Sequence, residues 1–223
     1  MSKAWRRFMK LPRVLNAPAT VTAVAQVSLI SAPLGVALDN QHGLFNVLSY
    51  NAWSYTITSP FDASALLVKS AYWVPALFAV AGAAMSLIQL TADVYIKGSV
   101  RQSSGQKTLY NISLFAFQYY LSGALDFLRY DALTINLILS ALAIAGFLFF
   151  DGTVPGLVLA LATAVAGPAA ELALINGPPH AYLYTHADFF GICSWIPSVY
   201  FLGGSAVGNL ARSLYHHGLA KDV

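Results

Sequence analysis

Long apolar stretches with few charged residues alternate with short polar segments along the whole chain. Six stretches stand out, at about residues 14–38, 66–92, 108–125, 132–150, 157–174 and 190–211. Each is close to the roughly 20 residues that a helix needs to cross the hydrocarbon core of a bilayer. The pattern predicts an all-α, polytopic membrane protein. A six-transmembrane-helix bundle is expected over residues 14–215, after a basic arm at 1–13 and before a short tail at 216–223.

The composition also favours a membrane protein over a soluble one. Hydrophobic residues make up 57% of the 223 residues and charged residues only 9%, whereas soluble domains carry about 25% charged residues. The mean hydropathy is +0.63. Cys193 is the single cysteine of the sequence, which excludes an internal disulfide and a cysteine-based metal cluster.

The positions of the basic residues predict the orientation in the membrane. Ten of the twelve lysines and arginines lie in the N-terminal arm, in the loop at 93–107 and from residue 212 onwards. Because cytoplasmic segments carry an excess of Lys and Arg, we expect both termini to be cytoplasmic. The alternative for the basic arm is an organelle transit peptide.

Four ionisable residues near the ends of the predicted spans are candidates for function, since such residues are costly at membrane depth. Lys69 and Glu171 are predicted near the same non-cytoplasmic face. They either form a pair there or reach the interface separately, and separate placement is favoured. Asp126 and Asp151 are expected to be solvated helix ends, with Asp151 exposed on the cytoplasmic side, where a partner could contact it.

The last predicted span contains a small-xxx-small motif formed by Gly204 and Gly208. On a helix in lipid, two glycines four residues apart leave one face without side chains, so another helix can approach closely. The motif predicts a close helix contact, either through ordinary packing in the bundle or with a partner membrane protein.

Motifs for catalysis or metal binding are missing from the sequence. His180 and His186 lie six residues apart in a predicted loop, and no HxxxH, HExxH, GxSxG or nucleotide-binding motif occurs. We therefore expect no enzyme, no cofactor and no nucleic-acid partner. Two other hypotheses stay open: a small transporter or channel with Lys69, Asp126 and Glu171 along its path, and a lipid-modifying enzyme that depends on His186.

Several short motifs resemble the Insig (insulin-induced gene) family of sterol-regulatory membrane proteins. In chain order they are SAYWVP at 70–75, LDF at 125–127, FD at 150–151, NG at 176–177, YT and DF between 184 and 189, and SWIP, GG, GN and R between 194 and 212. The motifs cover the chain from the second predicted span to its end. They lie in a six-span frame with the same predicted orientation as in the family.

The resemblance implies a compact helix bundle with a central cavity open toward the membrane, in which the animal proteins of the family bind oxysterol. A sterol or a diacylglycerol-like lipid is therefore the implied ligand. The matching lipid-binding positions are Phe115 and Phe147, and Thr134 lies nearest to a glutamine that the family has early in its fourth span.

The resemblance also implies a regulator that retains partner membrane proteins in the endoplasmic reticulum membrane. Asp151 matches the family's aspartate that is important for holding the sterol sensor Scap. HMG-CoA reductase is the second implied partner, and Gly204 and Gly208 are further candidate contacts. The basic arm leaves a plastid or other organelle membrane, or a bacterial plasma membrane, as alternative locations.

The chain departs from the family pattern around the end of the fourth span. Leu148 follows Phe147 where the family has two tryptophans, and the loop after Asp151 lacks a basic residue. The resemblance thus supports the bundle and a lipid-sized cavity more strongly than sterol specificity or a Scap-like partner.

Overall fold

Six long helices form the protein in the computed structural model, which describes residues 18–62 and 64–219. The predicted basic arm and the last residues of the predicted tail lie outside the described residues. The helices are α1 (Pro18–Leu44), α2 (Val74–Lys97), α3 (Gly105–Phe127), α4 (Ala132–Phe150), α5 (Val154–Asn176) and α6 (Ile196–Leu219).

Four of these helices, α1, α2, α4 and α5, are long and apolar enough to cross a membrane. Large apolar side chains on them face outward: Leu29 is 74% exposed, Phe149 74% and Val165 71%. A soluble protein rarely exposes so much apolar surface. The chain is therefore a multi-pass membrane protein.

The helices α3 and α6 are more polar than the other four helices. The bundle tolerates their polar side chains because these form hydrogen bonds in its interior. The Asn111 side-chain amide donates to the Ser205 hydroxyl at 3.1 Å, and the Thr108 hydroxyl donates to the Asn209 carbonyl at 3.3 Å. Hydrogen bonds of this kind hold helices together where no water competes. Helix length and hydropathy alone therefore identify only four of the six predicted spans.

The helix α6 lies at the centre of the bundle and contacts all five other helices. Gly204 packs against α5, and a Cβ atom added there would overlap the Thr163 hydroxyl. A Cβ atom at Gly208 would come within 2.6 Å of the Gln89 side-chain oxygen of α2. The predicted close helix contact therefore occurs inside the bundle.

Four short strands cover the end of the bundle where α1, α3 and α5 terminate, which we call the strand-capped end. The strand β1 (Leu48–Tyr50) pairs with β4 (Tyr182–Tyr184), and β2 (Ser54–Thr58) pairs with β3 (Leu66–Ala71); both pairs are antiparallel. We call the opposite end, where α2, α4 and α6 terminate, the Arg212 end.

Several predicted boundaries differ from the observed ones at the strand-capped end. The first helix continues to Leu44, so Asp39 is helical rather than part of a loop. The second helix begins at Val74 instead of residue 66, because residues 66–71 form β3 and Pro75 occupies the first turn of α2. The last helix begins at Ile196 rather than at residue 190 and extends to Leu219.

Candidate functional site

A partly enclosed cavity of about 300 Å³ lies inside the bundle. Its walls come from α1, α2, α3, α5, α6, β1 and β4, while no residue of α4 contributes. Most of the wall is apolar, and α5 presents small residues at Ala162, Ala166 and Ala170. Concave, largely apolar cavities of this size are the usual sites for small ligands.

Of the three residues predicted to bind lipid, Phe115 lines the cavity. Phe147 is on α4 and packs against Phe201, with ring centroids 5.5 Å apart. Thr134 is at the start of α4, where its hydroxyl donates to Asp131 Oδ2 at 2.6 Å. Phe147 and Thr134 do not line this cavity, because α4 lies behind its wall.

Two buried carboxyl groups, Asp39 and Glu171, line the cavity near the strand-capped end. The side chains of Tyr50 and Tyr119 donate to Asp39, the latter at 3.2 Å. The hydroxyls of Tyr184 and Tyr200 donate to the two oxygens of Glu171, each at 2.7 Å.

An aromatic wall stands beside these carboxyl groups. The ring centroid of Trp73 is 5.9 Å from that of Tyr50 and 5.9 Å from that of Tyr182, and all three residues line the cavity. Burial, and next the charge of Glu171, raise the pKa values of Tyr182 and Tyr184 above their ordinary range. Both phenols therefore stay protonated at neutral pH.

The transporter hypothesis placed Lys69, Asp126 and Glu171 along one path, but only Glu171 lines the cavity. Within the described residues, neither Lys69 nor Glu171 takes part in an ion pair. The two residues therefore do not pair, but the expectation that each reaches the interface is wrong for Glu171, which is only 9% exposed and lines the cavity. Lys69 lies on β3 instead, where its backbone N–H donates to the Asn40 side chain at 2.7 Å.

The expectation that Asp126 is a solvated helix end is wrong. Only 6% of the residue is exposed, and Asp126 Oδ2 lies 2.9 Å from His186 Nδ1. Arg129 contacts the other ring nitrogen of His186. The carboxyl group is buried because the loop before α6 folds over the end of α3 and supplies a partner.

A network of charged residues closes the Arg212 end. The Arg212 guanidinium is fully buried and contacts both oxygens of Asp93 at 2.7 Å. Its Nη1 atom lies 2.9 Å from Asp151 Oδ2, and Arg101 Nη1 lies 3.3 Å from Asp151 Oδ1. This guanidinium holds α2, α6 and the end of α4 together.

The network overturns the expectation for Asp151. The residue is only 4% exposed, so the expectation of an exposed carboxylate for a partner is wrong. Arg212 is buried as well. Two acidic residues distant in sequence replace water around its guanidinium, which allows a full charge to remain inside the bundle.

The carboxyl group of Asp39 is the main feature of the cavity that the sequence pattern missed. Asp39 follows a charge-free stretch directly, so the pattern places it just outside the first predicted span. An acidic residue at the border of a predicted span is a functional candidate in its own right. Among the described residues, no group of three or more His, Cys, Asp or Glu side chains is arranged to hold a metal ion.

Comparisons with known proteins give consistent results. No family model matches the chain. It is 31% identical over 150 residues to an insulin-induced gene 1 protein of Danio rerio, covering 66% of this chain and 58% of the relative. The human protein of the same name is 30% identical over 157 residues, covering 70% of this chain and 55% of the relative. The chain thus matches less than two thirds of the length of these relatives.

The fold is that of a solved bacterial protein. The crystal structure of a mycobacterial Insig homolog from Mycobacterium vanbaalenii matches with a TM-score of 0.69 and 21% identity, covering 91% of this chain and 97% of the homolog. A cross-linked trimer of the bacterial homolog matches with a TM-score of 0.70 and 20% identity over the same shares.

Proposed function

The chain is a homologue of the Insig proteins, and from this relationship we propose that it is a membrane regulator that binds a lipid in its central cavity. The proposed ligand is a sterol or a diacylglycerol-like lipid. The proposed output is the retention or regulation of partner membrane proteins in lipid homeostasis.

The observation that carries this proposal is the apolar cavity between five helices. Its volume of about 300 Å³ is at the lower end for small-ligand sites. Its wall combines the ring of Phe115 with small residues on α5, which leaves space for a flat or flexible apolar body. The proposal concerns the matched membrane domain, since the relatives are longer than this chain.

The partners that the family relationship suggests are a Scap-like sterol sensor and HMG-CoA reductase. Asp151 would support such a contact indirectly, since its carboxyl group is buried against Arg212. Its role would be to fix the positions of α2, α4 and α6. Gly204 and Gly208 would likewise act through packing inside the bundle, because both are buried.

We propose the endoplasmic reticulum membrane as the location, as the family resemblance implies. The structural similarity to a mycobacterial homolog supports a bacterial plasma membrane as the alternative. The lipid-binding proposal applies equally to both.

We expect Phe115→Ala to reduce the amount of lipid that co-purifies with the detergent-solubilised protein by at least about tenfold. The substitution removes a ring from the cavity wall, and loss of a buried aromatic contact of this kind costs about 1.5–3 kcal/mol of binding. Mass spectrometry of extracted lipids measures the effect. The control is Phe149→Ala, which removes a 74% exposed ring from α4.

The control variant should retain the same enriched lipid as the unaltered protein. Lipid in bulk membrane proportions in the unaltered protein would contradict the proposal. So would an equal loss of lipid in both variants, since Phe149 is remote from the cavity wall.

A further inference from the structure

We propose that the cavity accepts an amphiphile whose polar end is a protonated amine, held between Asp39 and Glu171 and against the aromatic wall of Tyr50, Trp73 and Tyr182. This inference rests on the proposed function, that the cavity binds a lipid. It keeps the apolar part of that ligand and replaces the uncharged polar end of a sterol or diacylglycerol with a protonated amine.

The hydrogen-bonding groups at the strand-capped end of the cavity favour a ligand that donates hydrogen bonds. The hydroxyls of Tyr50, Tyr119, Tyr184 and Tyr200 already direct their protons to the two carboxyl groups. A carboxylate has about four acceptor sites, so both groups keep free acceptor capacity. An ammonium group offers three donors and no acceptor, which complements this arrangement.

The charges lead to the same class of ligand. Asp39 and Glu171 are each 9% exposed and line the same cavity. Neither has a cationic partner among the described residues. The nearby His42 bonds to the Ser122 hydroxyl at 2.8 Å instead. Buried carboxylates without a counter-charge are costly, and a bound cation would supply that charge.

The aromatic wall adds a second, independent preference for a cation. The rings of Trp73, Tyr50 and Tyr182 lie within 6.3 Å of one another and all face the cavity. Ring faces attract a cation within about 6 Å of the centroid, and tryptophan does so most strongly. A fatty acid or a phosphate-bearing head would face the two carboxyl groups with like charge.

The remaining cavity suits the apolar part of such a molecule. Beyond the carboxyl groups, the wall continues along Leu77, Phe78, Met85 and Ile88 of α2 and the small residues of α5. A single alkyl chain can lie along this surface. The ligand class is therefore a long-chain amine.

The test is equilibrium binding of tritiated tetradecylamine to the full chain in nanodiscs of phosphatidylcholine. Unlabelled tetradecan-1-ol and tetradecanoate serve as competitors with the same chain length. We expect the amine to bind about tenfold or more tightly than the alcohol, which is the range of a charged hydrogen-bonding group. The carboxylate should be the weakest competitor.

Two carboxyl-to-amide variants test whether Asp39 and Glu171 cause the preference for the amine. Asp39→Asn and Glu171→Gln keep the size of each side chain, and each should weaken amine binding about tenfold while changing alcohol binding less than about threefold. Retained alcohol binding shows that the variant is folded. The matched control is Asp62→Asn, which removes a carboxylate from an exposed loop and should change neither affinity.

Equal affinities for the amine and the alcohol, or a preference for tetradecanoate, would overturn the inference and leave the lipid-binding proposal intact. An amine preference that survives both cavity variants would overturn it as well. Failure of all three probes to bind saturably, with no enriched co-purifying lipid, would overturn the lipid-binding proposal itself.

Discussion

Replacing Arg212 with methionine is expected to lower the free energy of unfolding by about 3–5 kcal/mol. Methionine fills a similar volume but leaves Asp93 and Asp151 buried without their shared cation. Breaking a buried ion pair from one side costs this much, because the remaining charge keeps its desolvation penalty. The guanidinium joins α2, α6 and the end of α4, so the whole Arg212 end should loosen.

The measurement is an unfolding titration with sodium dodecyl sulfate in mixed micelles, followed by circular dichroism. The control is Arg101→Met, because Arg101 contacts the same Asp151 from the edge of the network and its side chain is 40% exposed. An exposed ion pair contributes about 1 kcal/mol or less. If the two variants lost unfolding free energy to within about 1 kcal/mol of each other, Arg212 would not be the central cation of the network.

A triple variant separates loss of the charge from loss of packing. Asp93→Asn and Asp151→Asn added to Arg212→Met remove the two orphaned carboxylates along with their cation. We expect the triple variant to recover part of the stability lost by Arg212→Met alone, since residues in one network are strongly non-additive. No recovery would mean that Arg212 acts through the volume of its side chain.

The sequence predicted the helices well because hydrophobic length is a local property. Each of the six predicted stretches overlaps one helix of the bundle, and α4 begins and ends at its predicted residues. The motif resemblance to the Insig family is confirmed by the relatives and by the fold of the mycobacterial homolog. These features depend on residues close together in the chain.

The burial and pairing of the charged residues could not be predicted, because they depend on partners far away in the sequence. Arg212 meets Asp93 across 119 positions and Asp151 across 61. Asp39 accepts a hydrogen bond from the Tyr119 hydroxyl, 80 positions away in the sequence. A rule that places a charge at the membrane surface assumes that only water can solvate it. In this bundle, other side chains replace the water.

Dependence on distant partners also explains why the strands of the strand-capped end were not predicted. The strands β1 and β4 are three residues each and pair across more than 130 positions, so neither gives a clear local signal. Their pairing brings Tyr50, Tyr182 and Tyr184 to the cavity. The polar end of the candidate site is therefore a product of tertiary structure, whereas its apolar walls follow from the helical pattern.

The second large effect is expected at Gly204, where α6 packs against α5 with no room for a side chain. An added methyl group would overlap the Thr163 hydroxyl and lie 3.2 Å from the Ala160 Cα atom. The hydroxyl has little freedom to rotate away, because its one proton is shared between the Leu159 carbonyl of α5 and the Tyr200 carbonyl, each 3.0 Å from the oxygen. The Ala160 atom belongs to the backbone and moves only if the helices separate.

We therefore expect Gly204→Ala to destabilise the bundle by about 1–3 kcal/mol, which is the usual cost of overpacking a tight core. The same titration with sodium dodecyl sulfate measures it. The matched control is Gly105→Ala in the first turn of α3, where an added Cβ meets nothing within 4 Å. Alanine is the better helix former, so the control should be unchanged or slightly more stable. Equal behaviour of the two variants would mean that α5 and α6 can separate freely. Their contact would then no longer account for the glycine at this position.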